Sequence, residues 1–240
     1  MKITQENVIL WDWDNTLADT FDVIWRAQND MRRRYGLPAF TKEESKMAMN
    51  KSGRNLIADW VGAENAAEAR KYYLSCYAHH SQNLKLKEYA RELLDWTQAN
   101  GFFNILASNK DGSVLRKEME RLSLSGAFER FFGAGIAPED KPSKIFTDVA
   151  LQGLRPVKII SIGDGVADVK MGHNYANGVS ILVFTDPQSK EFKDNRPDYV
   201  AADLKDCQRV LEGFVPPCRT LSYGRVPPAL MMNRIKEHTR

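Results

Sequence analysis

The chain has 240 residues, 34 lysines and arginines against 31 aspartates and glutamates, a formal net charge of +3, and 43% hydrophobic residues. That length suits one large domain, or a core with a smaller insert, and the composition is that of a globular protein with a real core. Its basic residues form no stripe interleaved with aromatics, which argues against a nucleic-acid partner, and no apolar stretch approaches the ~20 residues needed to cross a bilayer.

In chain order, the first element is the apolar run "VIL" at 8–10, which leads into "WDWDNT". The acidic start and very short apolar run are not those of a signal peptide. Short continuous apolar runs read as strands buried on both faces of a parallel sheet. Asp12 and Asp14 therefore sit at a strand end, where like charges repel and burial strips their hydration. Either both are solvated, or a positive guest belongs beside them. From 20 to about 85 the chain has helical periodicity and no convincing strand: Phe21, Ile24, Trp25, Gln28, Met31 and Tyr35 recur at helical spacing. "YGLP" ends that helix, and Thr41 with Glu44 can cap the next. Roughly sixty helical residues exceed a normal crossover, so 20–85 is read as an inserted helical cap. Further apolar runs at 105–107, 159–162 and 181–184 alternate with amphipathic stretches at 88–99, 114–122 and 145–151. The alternation predicts a doubly wound α/β core with a parallel sheet, formed by 1–19 and 86–214. Residues 215–240, with Arg219, Arg225, Arg234, Lys236 and Arg240 among "VPPC" and "VPPAL", are expected to be a basic, proline-punctuated extension.

Four polar clusters punctuate these elements: "DWDNT" with Asp12, Asp14 and Thr16; "ASNK" with Ser108 and Asn109; "EDKPSKIF" with Lys141; and "IGDGVAD" with Asp164 and Asp168. Open parallel sheets bind ligands beyond the carboxyl ends of their strands. Three clusters fall there, and Lys141 is expected to start a helix leaning over the same edge. Together they bring four carboxylates, an ammonium and a hydroxyl to one crevice, an oxygen-rich set without His or Cys that suits a hard ion such as Mg²⁺. Plainer readings exist for each: strand-end turn residues for Asp12 and Asp14, a helix start capped by Asp111 after Ser108 and Asn109, a surface lysine at 141, and dipole-complementing acids at 164 and 168.

The order D-x-D-x-T, S-N, K-P and G-D-x-x-x-D, present as "DWDNT", "SN", "KP" and "GDGVAD", resembles that of the haloacid dehalogenase superfamily over about residues 8–184. The helical insert after the first motif is similar to the subgroup that includes phosphoglycolate phosphatases and β-phosphoglucomutases. The resemblance implies that Asp12 is a nucleophile that takes up a phosphoryl group. It makes Asp14 the acid and then the base, with its main-chain carbonyl on the metal, and Asp164 a metal ligand supported by Asp168. Thr16, Ser108 and the Asn109 amide would hold phosphate oxygens, and Lys141 would neutralise charge on both phosphate and Asp12. In "MAMNKSGRN", Lys51 and Arg54 would reach down from the cap to the substrate's distal end, the plainer reading being that both lie on the solvated side of a loop. The activity implied is a Mg²⁺-dependent phosphatase acting on a small phosphorylated metabolite. A sugar-phosphate mutase on the same core, or a non-catalytic binding member, is the alternative.

Other features read as structural. Trp11, Trp13 and Trp25 suit core or pocket wall; His79 and His80, adjacent on a helix, do not share a face for a metal; His173 is structural; Arg32, Arg33 and Arg34 read as a solvated helix face. Asn15 stands where the family often has Gly, and asparagine tolerates left-handed backbone. Cys76, Cys207 and Cys218 form no C-x-x-C pair, which fits a reduced, cytoplasmic setting. Oligomeric state is not legible.

Overall fold

The computed structural model describes residues 7–50 and 56–215. Lys51, Arg54, Cys218 and the basic extension from residue 216 lie outside the described residues.

Six strands, β1 (Asn7–Trp11), β2 (Phe103–Asp111), β3 (Arg130–Ala134), β4 (Lys158–Gly163), β5 (Gly178–Val183) and β6 (Tyr199–Ala201), form one parallel sheet in the order β3-β2-β1-β4-β5-β6. The central β1 pairs with β2 and β4, with Leu10 opposite Ile105 and Ser161. Alternation along each strand sorts its side chains to two faces. Ile9 and Trp11 of β1, Leu106 of β2, and Ile160 and Ile162 of β4 pack with Leu93 and Leu94 of α5 (Ala90–Ala99), Leu115 of α6 (Gly112–Arg121) and Leu211 of α9 (Leu204–Glu212). Val8, Leu10, Ile105 and Ile159 pack on the other face with Phe146 of α7 (Lys144–Ala150) and Met171 of α8 (Val166–Gly172). Helices on both faces explain why β1, β4 and β5 read as unbroken apolar runs.

The two edge strands escaped the sequence reading. β3 is mostly half-buried, and only Ala201 of the three β6 residues is buried. An edge strand has one neighbour and less to bury, and its apolar residues, Phe131 and Phe132 in β3 and Tyr199–Ala201 in β6, are few.

Between β1 and α5 the chain forms α1 (Phe21–Arg34), α2 (Lys42–Asn50), α3 (Leu56–Val61) and α4 (Ala66–His80), and no strand longer than a single bridge among the described residues. The helical insert leaves and re-enters the sheet side by side. Asp19 N donates to Lys85 O and Lys87 N to Leu17 O, both at 2.9 Å, with Ala18 bridging Leu86. Gly36, at φ +66°, ends α1 where "YGLP" predicted a stop. Thr41 and Glu44 cap α2 reciprocally, Glu44 N on Thr41 Oγ1 at 3.1 Å and Thr41 N on Glu44 Oε2 at 2.8 Å. Inside the insert, Ile24 and Ala27 of α1 meet Tyr77 of α4.

One expectation fails here. Arg33 and Arg34 are exposed, but Arg32 is buried, its guanidinium 3.7 Å above the Phe40 ring and its Nε donating to Pro38 O at 2.6 Å. An aromatic face and a backbone carbonyl replace its water. Among the described residues no helix is long and apolar enough to cross a membrane.

Candidate active site

The strand order reverses beside β1, between its neighbours β2 and β4, and the site lies at their carboxyl ends, as that topology dictates. Asp12 continues the β1 line, its N–H donating to Ile162 O at 2.8 Å. The chain then turns. Asn15 takes φ 60°, the left-handed geometry an asparagine accepts, and Leu17 and Ala18 both donate to Trp13 O. The turn brings Thr16 Oγ1 back to Asp12 Oδ2 at 3.2 Å, while Trp13 is fully buried.

The end of β2 is irregular: its register against β3 shifts between Ala107 and Asp111. Ser108 lies buried in that segment and accepts from Lys110 N at 3.2 Å. Asp111 caps α6 through Ser113 N and Val114 N. The Asn109 side chain grips the backbone of Lys141, accepting from its N–H at 2.8 Å and donating to its carbonyl at 3.1 Å. Lys141 does not start a helix. Pro142 follows it, Ser143 caps α7 by accepting from Ile145 N, and the helix begins at Lys144. Removed from a helix, Lys141 is free to turn inward, and its Nζ lies 2.5 Å from Asp12 Oδ1 and 2.7 Å from Asp168 Oδ1. Asp168, in the first turn of α8, also accepts from Gly165 N at 3.2 Å. A Cβ on Gly163 would fall 2.1 Å from the Asp168 carboxyl, so a glycine there is what lets this carboxylate in.

Asp12, Asp164 and Asp168 can present oxygens within 4.8 Å of one another. Three carboxylates around one ammonium repel one another strongly. Burial first, then Asp168 and Asp14 beyond what Lys141 offsets, push the Asp12 pKa up to about 7. Desolvation, with Asp12 and Asp168 beside it, holds Asp164 well above the usual carboxylate range. Burial works against the Lys141 ammonium, but Asp12 and Asp168 outweigh it and raise its pKa. A cluster of hard oxygen donors that is short of positive charge fits a divalent cation.

Over this floor opens a crevice of about 580 Å³. Asp12, Asp14, Ser108, Lys141 and Asp164 line the sheet side, and Ile24, Met49, Arg70 and Tyr73 line the helical side. Arg70 of α4 meets Asp111 across the rim at 2.8 Å.

A second buried cluster adjoins the first, and the sequence reading assigned none of its new members. Lys110 Nζ lies 2.5 Å from Asp14 Oδ1, 2.8 Å from the Tyr77 hydroxyl and 3.5 Å from Glu118 Oε2. Tyr77 donates to Glu118 Oε1 and Trp13 Nε1 donates to Glu118 Oε2, both at 2.7 Å. One signal was available. Glu118 shares the buried stripe of α6 with Leu115 and Met119, and a carboxylate on a buried stripe needs a partner. His173 lies apart, 2.9 Å from Asp198, and His80 lies 2.6 Å from Asp30.

A carboxylate nest with one ammonium and a cation-binding deficit, at the switch point of a doubly wound sheet, defines a hydrolase of the phosphoryl-transferring type. The chain belongs to the haloacid dehalogenase-like hydrolase family, whose model matches residues 9–183. It is 24% identical over 220 residues to the phosphoglycolate phosphatase of Nitrosococcus oceani, covering 87% of this chain and 98% of that one. Among solved structures, a haloacid dehalogenase-like hydrolase from Streptococcus pneumoniae superposes with a TM-score of 0.72 at 22% identity, covering 87% of this chain and 98% of the other. A candidate hydrolase of the family from Bacillus subtilis, in a magnesium-bound form, does so at 0.66 and 16%, covering 87% and 99%.

Proposed function

We propose that the chain hydrolyses a small phosphate monoester through a phosphoryl group carried on Asp12, with 2-phosphoglycolate as the first substrate to try. The observation that carries the reading is the Lys141 ammonium shared between Asp12 and Asp168 at the crevice floor. Asp12 attacks phosphorus and the bond from phosphorus to the alcohol oxygen breaks. Asp14 gives that oxygen its proton, so the alcohol leaves neutral. Asp14, now a carboxylate, takes a proton from water; the water oxygen bonds phosphorus, the bond to Asp12 breaks, and inorganic phosphate leaves with Asp14 reprotonated. Thr16, Ser108 and the Asn109 amide hold phosphate oxygens, and Lys141 balances charge on Asp12 and the phosphoryl group. Asp12, Asp164, Asp168 and the Asp14 carbonyl would hold Mg²⁺, which when bound supplies positive charge to the transferring group. Residues 1–19 and 86–214 form the core, and 20–85 form a cap that excludes water, with Lys51 and Arg54 meeting the substrate's far end. The free thiols of Cys76 and Cys207 suit a reducing cytoplasm.

The test is phosphate release by the purified full chain from a panel of monoesters, with Mg²⁺ or with chelator, beside D12N. Release that needs Mg²⁺ and is lost in D12N supports the reading. Release undiminished in D12N overturns the covalent route, and silence on every ester overturns the phosphatase.

A further inference from the structure

We infer that Lys110, braced by Tyr77 and Glu118, is a positioning residue that aims Asp14 at the leaving group and ties that aim to the helical insert. The inference rests on the hydrolytic reading above. The Lys110 side chain is 6% exposed and that of Glu118 is 4% exposed, whereas the Asp14 side chain, at 21%, reaches the crevice. An ammonium so buried must be paired, and its partners come from three different elements: Asp14 from the turn after β1, Glu118 from α6 and Tyr77 from α4 of the insert.

Glu118 is not available for chemistry. Both its oxygens are engaged, Oε1 by Tyr77 and Oε2 by Trp13, at 2.7 Å each. It is the fixed end of the device. The Lys110 ammonium, which also lies 4.4 Å from the centre of the Tyr77 ring, is the link. Asp14 is the working end. With Oδ1 accepting from Lys110 at 2.5 Å, the carboxyl plane is held and Oδ2 is left as the oxygen that exchanges a proton with the leaving group and with water. Tyr77 belongs to the longest helix of the insert, which packs on α1, so a movement of the insert pulls on the same ammonium that holds Asp14. A purely structural role for this network would leave the chemistry of all substrates equally affected. A positioning role would not. A nitrophenolate leaves well without a proton and an alkoxide does not, so misplacing the acid harms only the latter.

The experiment compares wild type and K110M, as full chains with Mg²⁺, on an alkyl ester (2-phosphoglycolate or glycerol phosphate) and on p-nitrophenyl phosphate. The quantity read is kcat/KM, which reports transfer to Asp12 whatever the later steps. Removing the link should lower it on the alkyl ester on the order of 100-fold, the loss expected of a misplaced acid. On the aryl ester the loss should stay below about fivefold, because that leaving group draws little on the acid. K110R should recover part of the alkyl activity, and beryllium fluoride should bind K110M as it binds wild type, since the Asp12 floor is untouched. Equal losses on both esters, or no loss on either, overturn the inference. If K110M does not fold, Y77F, which removes one hydroxyl, must show the same selectivity at a several-fold level, and its failure to do so overturns the inference as well. Wild type silent on both esters removes the phosphatase reading and this role with it; active wild type with unselective variants removes this role alone.

Discussion

The two lysine clusters differ in how far the protein balances them by itself. Around Lys141 stand three carboxylates, Asp12, Asp164 and Asp168, with one ammonium. Around Lys110 stand two, Asp14 and Glu118, with one ammonium and two neutral donors, the Trp13 indole and the Tyr77 hydroxyl. In the first cluster Asp12 is pushed up to about 7, first by burial and then by its acidic neighbours. A buried cluster whose carboxylates are met by an ammonium and by neutral donors holds geometry, and one crowded with carboxylates around a lone ammonium is a place for a guest. The first cluster lies wholly in the sheet-and-helix core, while the second borrows Tyr77 from the insert.

The comparison can be broken first at Asp12. D12N should lower turnover on the order of 10⁴-fold or more, as loss of a nucleophile does. Its melting curve should stay cooperative, because the amide keeps the shape and removes a repelled charge. Turnover within a few-fold of wild type would take the chemistry away from the first cluster.

Cation binding separates the clusters next. Mg²⁺ at about 100 times its dissociation constant should stabilise the protein by about 2.7 kcal/mol, a rise in Tm of roughly 5–10 °C for a chain this long. The sign of the pH dependence follows from Asp12. Its folded pKa, about 7, lies above its ordinary value of 3.8. The cation-free fold therefore binds an extra proton between those values, and the stability this proton gives is present at low pH and lost as pH rises through 7. Cation binding expels the proton, so the gain in Tm should be small at low pH and grow through neutrality. Melting curves with Mg²⁺ or chelator, taken at several pH values, check this; a gain that shrinks as pH rises would contradict it. D164A should abolish most of the gain.

E118Q tests the Lys110 cluster. Glutamine has one acceptor oxygen for the two donors that Glu118 serves, and it leaves Asp14 as the one carboxylate on Lys110. A loss of about 2 kcal/mol is expected, the scale of a charged buried hydrogen bond. Denaturant unfolding measures it, and the Mg²⁺ gain should persist in the variant. A vanished gain would show that the two clusters are one unit.

R70A, at the rim between them, should have the smallest effect. The Arg70 side chain is 47% exposed and that of Asp111 23%, so water screens their ion pair and it contributes less than about 1 kcal/mol. A larger loss by chemical denaturation would mean that the rim pair holds the insert to the core.

The legibility of the sequence follows burial. β1, β4 and β5 are covered on both faces and so read as apolar runs; β3 and β6 are edges and did not. The helical stretch after β1 showed its period, its stop at Gly36 and its Thr41–Glu44 cap because all three are local. Asp12, Asp164, Asp168, Ser108 and Lys141 were singled out because each follows an apolar run or a turn, and the structure brings their side chains to one floor. Arg32, read as solvated, is buried because Phe40 and Trp60 come to it from further along the chain.

Sequence alone determined which segments alternate, which strand ends carry carboxylates, and that those carboxylates lacked a counter-charge, since period and residue chemistry act over a few residues. Only tertiary structure decided who stands beside whom. Asn109 holds the backbone of Lys141 from 32 residues away, and Trp13 reaches Glu118 across 105. Lys110 looked like one more lysine after "SN" until α4 and α6 closed around it. A buried charge is made functional or inert by its partners, and partners come from packing, which no local pattern encodes.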